Sequence, residues 1–326
     1  MSWPGRREGL PTRTVLIPVE RRPGRRRRLR RVVLVLAAVL LLVPAAAVAI
    51  SFLHNSRKAP VAAPPPPPGP PAPLRPPAPR LSPSSAAVVA ARERERAITR
   101  LQGLALPVFC GAAHGNEIAL TFDDGPGPYT AQLLAVLRRF YAQATFFLVG
   151  DRIRYWPRLP AAEATIGAVG DHTWSHADLG RLPRRAALRE IDRARVAIAS
   201  AANASVRLFR TPYGYDPPWL GRALAARAML EIRWSVDSSD YLAGTTAVRL
   251  VRRVAPGLKP GAIVLFHDLR ATTVRALPTL LRLIRVRHLR AVTVPELLRT
   301  DPPSYRQLKA DSRGRGCVDL ATAGHE

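Results

Sequence analysis

The stretch Ile118-Ala119-Leu120-Thr121-Phe122-Asp123-Asp124-Gly125-Pro126 decides how the rest of the chain is read. Its apolar run ends abruptly in Gly-Pro, the pattern of a strand running into a turn. Two adjacent carboxylates therefore stand at a strand end. Side chains along a strand alternate between faces, but the turn after Asp124 can break the alternation and bring both acids to one rim. Two acids on one rim suit metal chemistry, although the same four residues taken alone also fit a plain polar turn.

Downstream and upstream of this stretch, from about Leu106 to Leu298, short apolar runs alternate with longer amphipathic segments. The expected strands are Ile118–Phe122, Thr145–Val149, Ile166–Gly170, Val206–Arg210, Glu231–Val236, Ala262–His267 and Ala291–Val294. Helices are expected between them, among others over Ala131–Tyr141, Arg184–Ala201 and Thr272–Ile284. Strand-helix alternation argues for an α/β fold with a parallel sheet, and about seven units suggest closure into a barrel. In such barrels reactive groups gather at the C-terminal strand ends. Four more polar clusters fall at such ends: His172-Thr173-Trp174-Ser175-His176, Arg210-Thr211-Pro212-Tyr213-Gly214, Asp237-Ser238-Ser239-Asp240-Tyr241 and Leu265-Phe266-His267-Asp268. If the first is helical, its two imidazoles at i and i+4 share a face and can bind one metal ion. Each cluster alone has a plain structural account. Their common placement at strand ends does not.

Outside this region composition changes sharply. Residues 1–31 carry eleven arginines against Glu8 and Glu20 and read as a basic cytoplasmic tail. Residues 32–53 form an uncharged apolar run, long enough to span a bilayer as a helix. The arginines before it place the N-terminus in the cytoplasm and the remainder outside, by the positive-inside rule. The sequence-based expectation is a single-pass membrane anchor, with a cleaved signal peptide and secretion as the alternative. In 54–83 lies a proline-rich linker, with thirteen prolines among the twenty-four residues Pro60–Pro83, a composition that favours extended polyproline II over a packed core. A linker helix is expected over 84–105, a catalytic domain over 106–300 and a tail over 301–326. The formal net charge of +27 is almost wholly arginine. No aromatic interleaving or nucleic-acid module accompanies it, so no nucleic-acid partner is expected. Cys110 and Cys317, the only cysteines, flank the domain and are expected to pair in a disulfide if the compartment is oxidising.

The five clusters, standing as TFDDGP, HTWSH, RTPYG, DSSDY and LFHD, resemble in content and order the motifs of the polysaccharide deacetylase family, carbohydrate esterase family 4, whose unit is the NodB homology domain. The resemblance spans roughly residues 106–300, and ATFFLVG (144–150) and WSVD (234–237) strengthen it. It implies a distorted (β/α)7 barrel and a divalent metal, zinc first with cobalt, nickel or manganese as alternatives. It also implies that Asp124, His172 and His176 bind that metal and that Asp123 is the general base, paired with Arg210. Tyr213 would offer its backbone N–H to the oxyanion, and His267 would be the general acid, supported by Asp240. Leu265 would line the acetyl pocket and Tyr241 the sugar wall. Amide hydrolysis needs an activated water, a stabilised oxyanion and a proton for the leaving nitrogen, and these residues cover all three.

The sequence also departs from the family. Asp171 stands where asparagine is usual and is expected to add negative charge beside the metal. Ile166-Gly167-Ala168 replaces a Gly-His-Glu lead-in, and Tyr241 replaces tryptophan. The expected activity is removal of N-acetyl groups from a cell-wall polysaccharide, peptidoglycan first. Chitooligosaccharides, O-acetylated glycans such as xylan, or a catalytically silent wall-binding role are the alternatives.

Overall fold

The structure is a computed structural model, and it describes residues 84–312 together with Cys317. The basic tail, the apolar run 32–53 and the linker 54–83 lie outside the described residues. Among the described residues no helix is long and apolar enough to cross a membrane. The expected single-pass membrane placement is corrected to this extent: no described helix provides the span. The longest described helices are amphipathic: α1 (Ser85–Gln102) carries the alternating run Arg92–Arg96, and the nineteen-residue helix Arg184–Ala202 carries seven charged side chains. Such helices bury one stripe and solvate the other.

Strand β1 (Glu117–Gly125) is the axis of the sheet. Of its nine residues only Asp124 is not fully buried, which is why the segment reads as a continuous apolar run rather than an alternating one. It is followed by α2 (Thr130–Arg139), β2 (Thr145–Leu148), α3 (Leu159–Ile166), β3 (Ala168–Asp171), α4 (Arg184–Ala202), β4 (Leu208–Phe209), α5 (Leu220–Ala225) and β5 (Leu230–Glu231). The second half comprises β6 (Val236–Asp237), α6 (Ala247–Val254), β7 (Ile263–His267), α7 (Ala271–Val286), β8 (Arg290–Val292), α8 (Val294–Thr300) and α9 (Tyr305–Ala310). The strands pair in parallel in the order β5-β4-β3-β2-β1-β7-β6, and β8 joins the first residues of β1. This is the curled parallel sheet of an α/β half-barrel.

One expected strand, Glu231–Val236, divides in two because it must cross from one end of the sheet to the other. Ile232 N donates to Phe209 O at 2.8 Å, whereas Ser235 N donates to Ile263 O at 3.0 Å. The entry segment fills the same seam, with bridges Val108–Ile232 and Cys110–Ala262. The third strand starts later than expected, since Ile166 ends α3 and Gly167 lies so close to the Ala144 carbonyl that a Cβ would collide with it. At the other side of the entry segment, Cys110 is joined to Cys317 in a disulfide.

Alternation along β1 sorts the core. Ile118, Leu120 and Phe122 pack with the helices in one cluster, and Ala119 on the opposite face belongs to a second cluster with Phe147, Ile232 and Ile263. Phe122 stacks on Phe146 and Phe266, its register partners on the two neighbouring strands, at 5.7 and 5.4 Å between centroids. Three aromatic rings in a row clamp the middle of the sheet at the point where the site begins. Replacing the central ring removes both stacks and opens a cavity with rigid walls. Phe122→Ala is therefore expected to lower unfolding free energy by about 3–5 kcal/mol, read from denaturant melts with the disulfide intact.

Candidate active site

The site is built where β1 stops behaving as a strand. Asp123 continues the alternation and points to the face opposite Phe122, but Asp124 adopts φ 71° and the β1–β2 register slips between Asp123 and Gly125. The bulge turns Asp124 to the same rim as Asp123, and so resolves the ambiguity that the sequence left open.

Asp123 is held by Arg210, which leaves the end of β4 and is fully buried. Arg210 Nη1 donates to Asp123 Oδ1 and to Thr121 Oγ1, both at 2.7 Å; Nε donates to Ile232 O at 3.0 Å and Nη2 to Arg233 O at 2.9 Å. The guanidinium also lies over the Phe147 ring at 4.2 Å. One oxygen of Asp123 is thus committed, and the other, Oδ2, faces His172 Nε2 at 3.8 Å.

His172 and His176 do not lie on a helix. After Asp171 the chain runs as an extended loop in which Thr173 and His176 have φ of 68° and 60°. Neighbouring elements fix this shape: Thr173 O and Trp174 O accept from Gly150 N and Asp151 N at 3.0 and 2.8 Å, and Glu190 accepts from Ser175 N at 2.8 Å. The i, i+4 argument for a shared helical face therefore fails, yet the loop brings the two rings together, 4.9 Å apart. His172 Nδ1 donates to Arg210 O at 2.7 Å, which leaves Nε2 as the free lone pair toward Asp124. Asp124 Oδ1 lies 3.1 Å from His176 Nε2 and 3.6 Å from His172 Nε2, and it is buried without accepting a hydrogen bond. Donor atoms of Asp124, His172 and His176 all fall within 4.8 Å of one another. An orphaned carboxylate oxygen facing two imidazole nitrogens fits a divalent cation of borderline softness.

Across a cleft of about 350 Å³ stands His267, at the end of β7. Its Nδ1 donates to Asp240 Oδ1 at 2.6 Å, its backbone N donates to Asp240 Oδ2 at 2.8 Å, and Thr273 Oγ1 also donates to that second oxygen. Tyr241 meets the His267 ring edge-on and donates to Asp237 Oδ2 at 3.2 Å. Tyr213, Trp234, Asp237, Tyr241 and Leu265 line the remaining walls.

The sequence of this region matches the family model described as polysaccharide deacetylase over residues 111–232. A chitooligosaccharide deacetylase of Bradyrhizobium sp. is 38% identical over 159 residues, which is 47% of this chain and 71% of that protein. The chain belongs to the polysaccharide deacetylase family. The peptidoglycan-N-acetylmuramic acid deacetylase PdaC of Bacillus subtilis is 32% identical over 183 residues, 55% of this chain and 38% of that protein. The chain thus spans about two-fifths of the length of the first such relatives it matches. Among solved structures, the Bc1960 peptidoglycan N-acetylglucosamine deacetylase superposes with a TM-score of 0.57 at 27% identity, covering 60% of this chain and 94% of that one.

Within this family frame the electrostatics separate His172 from His267, two of the three histidines that line the cleft. Burial pushes the His172 imidazole below its ordinary pKa, against the pull of Asp123, so it is neutral and free to ligate. Burial also opposes the charge on His267, but the bond to Asp240 and the carboxylates of Asp123 and Asp124 outweigh it and raise its pKa to about 9. For Asp124, burial works against ionisation, and the surrounding imidazoles overcome it and hold the carboxyl well below its usual range.

Asp171 departs from its expected role. It is fully buried, and burial pushes its pKa well above the ordinary value despite a bond from Thr173 N to Oδ1 at 2.7 Å. Burial thus works against the added charge that was expected beside the cluster. Thr121, Thr273 and Arg233 were not legible as site residues: they reach the site only through side-chain bonds across the curl, and Thr121 alone had a signal, being two residues before Asp123 on the same face of β1.

If Asp240 supplies the charge that raises His267, Asp240→Asn in metal-free protein should bring the His267 pKa from about 9 to its ordinary value of 6.5 or below. A histidine-ring NMR titration reads this directly, and an unmoved midpoint would assign the shift elsewhere.

Proposed function

We propose that the protein is a metal-dependent hydrolase that removes N-acetyl groups from peptidoglycan, giving free amino sugar and acetate, and that residues 106–300 form its catalytic unit. The observation that carries this reading is the opposed pair of proton-handling groups: Asp123 with Arg210 on one wall, and His267 with Asp240 on the other, with the Asp124-His172-His176 cluster between them. Hydrolysis of an amide needs both, a base for water and an acid for a leaving nitrogen that is otherwise a poor leaving group.

Asp124, His172 and His176 would hold a divalent ion, zinc by the mixed carboxylate-imidazole donor set, which would supply Lewis acidity to the water and the acetyl carbonyl. Asp123 takes the proton of that water through Oδ2, the oxygen that Arg210 leaves free. The Tyr213 amide donates to the acetyl oxygen as charge develops on it, and Leu265, which is 3% exposed at the cleft floor, receives the methyl group. His267 gives its proton from Nε2 to the sugar nitrogen, because Nδ1 is already engaged by Asp240. Tyr213 and Tyr241, 71% and 43% exposed, offer aromatic edges to the sugar ring.

The peptidoglycan assignment is supported by the relatives named peptidoglycan deacetylases. The rhizobial relatives named chitooligosaccharide deacetylases support a second reading, in which the substrate is a short chitin-type oligosaccharide. Acetate release from peptidoglycan and from chitooligosaccharide, with added zinc and with chelator, separates the two. Release from neither glycan in the presence of metal would remove the deacetylase reading.

The division of labour between the two acids yields an asymmetric expectation. Asp124→Asn should weaken metal binding, whereas Asp123→Asn should retain metal and lose turnover by about 10²- to 10⁴-fold. Metal content measured on the two purified variants, beside acetate release, checks this, and the reverse pattern would exchange the roles.

The pH dependence has a definite sign. His267 must be protonated to act as acid, so kcat falls as pH rises through the His267 pKa. That midpoint lies at or below about 9, since a cation at Asp124 cancels part of that carboxylate's pull. A pH–kcat profile whose alkaline limb does not move in Asp240→Asn would exclude His267 as the acid.

A further inference from the structure

The turn that carries the proposed oxyanion donor is spanned by one bond of its own, Thr211 Oγ1 to Tyr215 O at 3.1 Å, and the Tyr213 hydroxyl meets His176 Nδ1 at 3.2 Å. Tyr213 and Gly214 both adopt left-handed backbone, at φ 61° and 72°, and no side chain caps the short helical turn Pro212–Gly214. For tyrosine this conformation is disfavoured and persists only where the surroundings impose it. The contacts that reach the turn's main chain beyond Tyr213 from another element come from Arg233, on the segment that crosses between β5 and β6. Arg233 Nη2 donates to Gly214 O at 2.5 Å and Nη1 donates to Asp216 Oδ1 at 2.7 Å. The guanidinium thus grips the chain on the far side of Tyr213 at two points. It is itself confined, only 12% exposed, with the Trp234 and Phe109 rings at 5.0 and 5.7 Å. Gly214 packs closely enough that a Cβ there would stand 3.0 Å from Trp234 and 3.1 Å from Arg233.

We propose that Arg233 is a positioning residue for the reaction, fixing the Tyr213 amide by holding Gly214 and Asp216 in its two-pronged grip. The inference rests on the deacetylase reading above and deepens it. Arg233 lies outside all five clusters that carry the family resemblance, immediately before Trp234. Its main-chain oxygen accepts from Arg210 Nη2 at 2.9 Å, while Arg210 Nη1 holds Asp123. The base and the oxyanion donor are therefore both referred to one residue, the first through its backbone and the second through its side chain. A planar fork with two donors suits this task, and a lysine ammonium does not reproduce it. Arg233 touches no reacting atom, so its effect should appear in turnover and not in metal loading.

The test uses the full chain, with zinc and chitooligosaccharide. Arg233→Ala is expected to lower kcat by about ten- to a hundredfold, the scale of a misplaced catalytic group, with KM and bound zinc nearly unchanged. Added guanidinium ion should restore part of that kcat without raising wild-type activity, and Arg233→Lys should fall between the two. Hydrogen–deuterium exchange supplies a readout that needs no turnover: the peptide spanning residues 211–216 should exchange faster in Arg233→Ala, and the peptide over β7 should not. Wild-type kcat in Arg233→Ala, or unchanged exchange over 211–216, would overturn the proposal. Should Arg233→Ala fail to fold, the near-isosteric Asp216→Asn decides by the same two readouts. If the wild type releases no acetate from any glycan, the deacetylase reading fails by itself, and the exchange result still decides whether Arg233 holds the turn.

Discussion

The buried ion pair between Arg210 and Asp123 is the constraint from which the rest of the site follows. A guanidinium with no exposure to water is tolerable only when its donors are met, and here they are met by a carboxylate, a threonine hydroxyl and two main-chain carbonyls. Those partners lie on β1 and on the segment that crosses the seam of the sheet, while the arginine itself hangs from the end of β4. One side chain therefore ties three parts of the curl at the level where reactive groups collect. The Arg210 carbonyl also accepts from His172 and fixes its tautomer. The same residue thus orients Asp123 with its side chain and the His172 imidazole with its backbone.

Around that tie, environment divides similar groups into different roles. His172 and His267 line one cleft; desolvation without a bonded carboxylate favours the neutral form of His172, and a carboxylate locked by three donors keeps His267 charged. The backbone is strained to achieve the convergence. Asp124, Thr173, His176 and Tyr213 all adopt positive φ, at about 1–3 kcal/mol each. Three of them line the cleft and Thr173 lies buried beside it, a clustering that fits a geometry selected for chemistry, with the aromatic row Phe122, Phe146 and Phe266 and the surrounding core offsetting the cost.

Much of this was legible in the sequence, for identifiable reasons. The parallel sheet followed from continuous apolar runs, and the helices Arg184–Ala202 and Ala271–Val286 fall within two residues of their expected ends because their periodicity is strong. The five polar clusters were legible because each ends a strand. The path of His172–His176 was not, since spacing at i, i+4 is as compatible with a loop held by Gly150, Asp151 and Glu190 as with a helix, and those partners are remote in sequence. Nor was the division of Glu231–Val236, which depends on where the curl closes. Arg233 was hidden for the same reason: its grip on Gly214 and Asp216 spans seventeen residues or more and leaves no local pattern.

Asp171 shows why a substitution inside a recognisable cluster must be read through its surroundings. From sequence it is an added negative charge beside the metal ligands. In the fold it has no exposure, one oxygen accepts from Thr173 N, and the other has no partner among the described residues. Ionising it there would strand a charge in the core, so burial works against the charged form. A protonated carboxyl has nearly the size of a carboxamide and, like it, presents one acceptor and one donor. The consequence reaches the chemistry. Were Asp171 neutral, a dication held beside Asp123, Asp124 and Arg210 would leave one net positive charge on that wall, while His267 and Asp240 would cancel on the other. An ionised Asp171 would erase that excess and the field that favours negative charge growing on an acetyl oxygen. The aspartate suits the proposed reaction because the fold works against its charge.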